Sequence, residues 1–186
     1  MIAGHFGLAA AVKAKTPEVP LWALMVSTQL LEIAFIPFYI TGAESLENVD
    51  EGGYGEILIH ADYSHSFISA MILAIIAGLA AWRFWGKRGG MVISAVVFSH
   101  WLLDLIVHRA DMAILPGNLG NLPLVGLGLW KFPIISIIVE FSIVALGTVL
   151  YYRSLVPRAP SKLRKNAIAV SGLMGILLIL SLVTNL

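Results

Sequence analysis

The chain contains no cysteine. This excludes disulfides, thiolate metal sites and thiol nucleophiles together, so any metal must be held by nitrogen and oxygen. Charge is scarce as well: Lys, Arg, Asp and Glu make up 12% of 186 residues and nearly cancel, to a formal +1. That balance leaves no extended basic surface for nucleic acid. No basic leader precedes the first apolar stretch, Met1-Ile2-Ala3-Gly4-His5, so this stretch is expected to belong to the mature fold and not to a cleaved signal.

What fills the chain instead is apolar. Hydrophobic residues reach 59% and mean hydropathy is +0.89, the signature of an integral membrane protein. Five runs approach the roughly 20 residues that cross a bilayer as helix: Val19–Thr41, Ser64–Trp85, Gly90–His108, Phe132–Tyr152 and Asn166–Leu186. The expected fold is all-α, a polytopic transmembrane helical bundle forming one domain over residues 1–186. Met1–Val12 is too short to span, so it is either a half-helix dipping into the bundle or a helix lying at the interface. Pro37 is expected to kink the first span near its outer end.

Loop charges orient the spans. Arg83, Lys87 and Arg88 in loop 83–90, and the five basic residues of loop 153–165, place both loops on the cytoplasmic side. The loop Gly42–Tyr63 has neither Lys nor Arg but carries Glu44, Glu47, Asp50, Glu51, Glu56 and Asp62, and is expected to face outward.

Ionisable groups inside a span are expensive and mark function, and several occur here. His100, Asp104 and His108 recur every fourth residue, so a helix presents all three on one face. Counted inward from the outer ends of their spans, Glu32, His100 and Glu140 lie at one depth, roughly 13 Å below the boundary. A second cluster, His60-Ala61-Asp62-Tyr63-Ser64-His65-Ser66, stands where the acidic loop enters a helix, with Ser64 or Asp62 as the expected cap and His65 in the first turn. Imidazole and carboxylate suit zinc, manganese or iron, and a site with one open position activates water. Glu32, Asp62 and His108 are the candidates for proton transfer beside such a site, His108 as an outer ligand or relay at the rim.

The strings Asp62-Tyr63-Ser64-His65-Ser66 and Ser99-His100-Trp101-Leu102-Leu103-Asp104, with Gly4-His5 and an acid in the first full span, resemble the bacterial inner-membrane, metal-dependent hydrolase family. That family has been likened to zinc-dependent phospholipase C, and the likeness covers roughly residues 1–117. It implies His5, Glu32, His65, His100 and Asp104 as metal ligands, and hydrolysis of a phosphoester or lipid-derived substrate at the bilayer. Two rival expectations remain from the same residues: a proton- or metal-ion-coupled permease, and a non-catalytic membrane subunit with structural histidines.

Overall fold

The structure, a computed structural model, describes residues 1–48 and 57–184. Helices dominate: α1 (Ile2–Lys15), α2 (Leu21–Ser27), α3 (Leu30–Ile40), α4 (Phe67–Val107), α5 (Pro133–Arg158) and α6 (Arg164–Val183). Between α3 and α4 the strands β1 (Ser45–Asn48) and β2 (Ile57–His60) pair antiparallel, with Leu46 opposite Ile59. Among the described residues three helical stretches are long and apolar enough to cross a membrane: Phe67–Val107, Pro133–Arg158 and Ser161–Val183. The pair α2 and α3, separated by a short break, also passes if taken as one span. Large side chains such as Ile72, Ile76, Leu79, Ile134, Ile138, Leu173 and Leu177 stand exposed on these helices, as lipid-facing residues do.

The chain falls into two compact units. The first, Met1–Val26 with Ile138–Leu186, is a helical unit built on small residues. Ala3 and Ala10 of α1, Val144 and Tyr151 of α5, and Leu178 and Leu182 of α6 form its core, with Phe6, Leu21 and Met25 packed against them. Contact between α1 and α5 depends on glycine: a methyl at Gly7 would lie 3.0 Å from the Ile143 carbonyl oxygen, and one at Gly147 would run into the Gly7 carbonyl. Such close backbone approach is how helices associate where lipid removes the hydrophobic drive. Lys13, in the last turn of α1, ties down the chain that follows it, Nζ donating to Pro17 O at 2.9 Å and Val19 O at 2.7 Å. α1 is thus a packed helix of 14 residues, longer than the segment expected.

The second unit is Ser27–Ile137. Its α4 is 41 residues long but folds back on itself at Trp85 and Gly86, where Gly86 takes φ +69°. The two arms run antiparallel: Gly78 lies against Gly90 and Ser94, and Phe67 stacks edge-on against Trp101 at 5.0 Å. They coincide with the two apolar runs expected from Ser64 and Gly90 onward. The loop after α4 caps its start, since Ala113 O and Ile114 O accept from the Phe67 and Ile68 N–H groups.

Three local expectations need correcting. The first span breaks at Thr28 and Gln29, not at Pro37, which sits inside α3. The cap of α4 is Ser66, whose Oγ accepts from Ser69 N–H at 3.3 Å, so His65 precedes the helix instead of lying in its first turn. The acidic loop holds a β-hairpin, because Ile57-Leu58-Ile59 is apolar and β-branched enough to pair with β1; Asp50, Glu51 and Glu56 lie outside the described residues.

Replacing Gly147 by Val should loosen α1 from α5 and lower stability by about 1 to 3 kcal/mol, the range for overpacking a tight contact. Unfolding in mixed micelles measures it, and an unchanged midpoint would contradict the packing described.

Candidate metal centre

His100 lies on the second arm of α4 and is fully buried. One turn on, Asp104 places Oδ2 2.9 Å from His100 Nε2, the neighbour relation that i,i+4 spacing produces. On the other side of the ring, His100 Nδ1 meets the carbonyl oxygen of Thr28. A carbonyl only accepts, so Nδ1 carries a proton and Nε2 is the nitrogen presented to the acids. The helix break makes this contact: within a continuous helix the Thr28 carbonyl would be spent on the residue four positions on.

His65 arrives from the segment before α4 and is oriented in the same sense. Its Nδ1 lies 2.8 Å from Ser64 Oγ, and Ser64 Oγ lies 2.8 and 3.1 Å from the two oxygens of Glu44. The hydroxyl proton goes to the carboxylate, so the serine oxygen accepts from His65 Nδ1–H and Nε2 again faces the acids. Glu44 is itself fixed, accepting from the Tyr63 N–H at 2.8 Å and the Ser64 N–H at 2.7 Å while only 2% exposed. Trp101 Nε1 donates to the His65 carbonyl at 2.9 Å, and Phe35 meets the imidazole edge-on.

Glu32 of α3 closes the group. Its Oε1 is 3.7 Å from His100 Nε2 and 4.0 Å from His65 Nε2, while Asp104 Oδ2 is also 4.0 Å from His65 Nε2. Glu32, His65 and His100 thus bring one ligand atom each within 4.8 Å of one another, and Asp104 lies against both imidazoles. Glu32 is the accessible member, its side chain 41% exposed against 3% for Asp104. It borders a cavity of about 170 Å³ with His65 and His108, walled by Phe35, Leu46, Ile57 and Ile59.

His108 lies at this cavity and outside the group of four. Its Nδ1 is 3.1 Å from Asp111 Oδ1, its ring lies on Trp130 with centroids 4.4 Å apart, and Asp111 Oδ2 accepts from the Ile59 N–H at 3.3 Å. Asp111 thereby ties β2 to the end of α4 and holds the His108 ring. Asp62 contributes its backbone carbonyl, accepting from the Gly117 N–H at 3.0 Å, and its side chain is no part of the group. His5 and Glu140 belong to the other unit. There both are buried, and Glu140 Oε1 accepts from the Gly4 N–H at 2.9 Å, one of the donors that the first turn of α1 leaves open.

Sequence reasoning passed over Thr28 and Glu44, and read Asp111 as a partner of Arg109 where it meets His108. Thr28 acts through its backbone, which no residue type announces, and Glu44 was one acid among six in its loop. No family model, curated protein or solved structure matches the chain.

Glu44→Leu should destabilise the second unit by about 2 to 4 kcal/mol, since it strands the Tyr63 and Ser64 donors in a buried place. Glu44→Gln, which keeps an acceptor, should cost about half as much. Denaturant unfolding in micelles reads both, and a loss below about 0.5 kcal/mol for the leucine variant would contradict the burial assigned to Glu44.

Proposed function

We propose that Glu32, His65, His100 and Asp104 hold a divalent cation, zinc before manganese or iron, in a multi-pass membrane protein that hydrolyses a phosphoester or lipid-derived ester. The observation that carries this reading is the convergence of the two Nε2 atoms, each fixed by a bond at Nδ1, on Glu32 and Asp104 at 2.9 to 4.0 Å. Neutral imidazoles held in this way are the usual form of metal-ligating histidine. Two carboxylates against one dication leave the assembly without net charge, which suits burial. Resemblance to the inner-membrane hydrolase family supports these four residues and implies His5 beside them.

When bound, such a cation polarises an ester oxygen and makes water acidic enough to attack near neutral pH. The chain supplies the rest. Glu32, whose Oε1 faces the imidazoles, would take a proton from the attacking water on its other oxygen, and His108, oriented by Asp111, would return one to the leaving oxygen. Phe35, Leu46, Ile57 and Ile59 give the substrate an apolar wall, which suits an ester carrying acyl chains. The two arms of α4 count as two crossings, and with α2–α3, α5 and α6 the chain crosses five times. The basic loops 83–90 and 153–165 are cytoplasmic and the acidic loop faces out.

Metal analysis of detergent-purified protein should find about one divalent ion per chain, and His100→Ala or Asp104→Ala should lose most of it. Hydrolysis of bis(p-nitrophenyl) phosphate and of phospholipid in mixed micelles should fall at least about a hundredfold in both variants. A parent protein without stoichiometric metal contradicts the proposal.

A further inference from the structure

Glu44 and Ser64 form a two-link chain that ends on a nitrogen of His65. The contacts are short and continuous: Glu44 Oε2 to Ser64 Oγ at 2.8 Å, and Ser64 Oγ to His65 Nδ1 at 2.8 Å. All three residues are buried, at 2%, 2% and 4% exposure. Neither Glu44 nor Ser64 reaches the point on which the Nε2 atoms converge, so neither is a ligand.

We infer that Glu44, through Ser64, is the positioning carboxylate of the metal centre, setting the proton of His65 on Nδ1 and aiming Nε2 at the cation. This rests on the metal-binding reading above and adds the device that makes His65 a competent ligand. A serine hydroxyl can either donate to an imidazole nitrogen or accept from it. Alone, Ser64 would permit both tautomers of His65, and in one of them Nε2 would carry a proton and could not bind metal. Glu44 removes the choice, because a carboxylate only accepts and so takes the hydroxyl proton. The two backbone N–H groups of Tyr63 and Ser64 hold the carboxylate in place at 2.8 and 2.7 Å, so the chain starts from a rigid anchor. His100 gains the same outcome by another route, from the Thr28 carbonyl, which needs no side chain. The asymmetry has a consequence: side-chain substitution can release the tautomer of His65 but not that of His100.

The test compares the parent with Ser64→Ala, Ser64→Thr and Glu44→Gln, each purified in detergent and checked for an intact thermal transition. Zinc affinity is measured by competition with a chromophoric chelator, and the visible absorption of the cobalt(II)-loaded protein reports the ligand field. Ser64→Ala should bind zinc about 10 to 100-fold more weakly, as loss of an outer partner of a ligating histidine does, with altered cobalt bands. Ser64→Thr, which restores the hydroxyl, should return both readouts to the parent values. Glu44→Gln, which keeps an acceptor but also offers an N–H group, should fall between. Zinc affinity within threefold of the parent in Ser64→Ala, with an unchanged cobalt spectrum, overturns the inference while leaving the metal centre standing. A parent that binds neither ion overturns the metal centre itself and this inference with it.

Discussion

An imidazole has two nitrogens and, when neutral, one proton, so its use as a ligand depends on what its other nitrogen is bonded to. In this protein that requirement reaches back into the fold. The carbonyl of Thr28 is available to His100 because the helix stops at Ser27 and resumes at Leu30, and the break is as much a part of the site as the side chains are. Glu32 follows within the first turn of the resumed helix and comes to lie 3.7 Å from the same imidazole. One interruption therefore delivers both a backbone acceptor and an acidic side chain to His100.

Charge imposes the second constraint. Two carboxylates close together in a sheltered cavity repel unless positive charge stands between them. A dication with two neutral imidazoles balances them, and so would two imidazolium ions. The bonds at the Nδ1 atoms leave the Nε2 atoms pointing at the acids in both cases. What favours the cation is the number of outer contacts spent on orientation: the Thr28 carbonyl, the Ser64 hydroxyl with Glu44 behind it, the Trp101 indole and the Phe35 ring. Packing alone does not require an imidazole to be fixed so closely, whereas a ligand does.

Much of this was legible in the chain. The i,i+4 relation of His100 and Asp104 follows from helix periodicity, and counting residues from the span ends brought Glu32 to the level of His100. The same count also pointed to Glu140, which lies in the other unit and binds the Gly4 N–H. The β-hairpin was hidden because a short apolar run amid acids gives no periodic signal that separates strand from loop. The cap of α4 was misplaced for a related reason: Asp62, Ser64 and Ser66 are all competent caps, and the demand of His65 for Ser64 leaves the task to Ser66.

The proposed centre binds one metal ion through the Nε2 atoms of two histidines and the oxygens of two carboxylates. X-ray absorption at the zinc edge of the zinc-loaded protein in detergent examines it most directly. The account predicts a shell of nitrogen and oxygen at about 2.0 to 2.1 Å with the outer-shell scattering of two imidazoles, reduced to one in His65→Ala. A first shell of oxygen alone, without imidazole scattering, would contradict it.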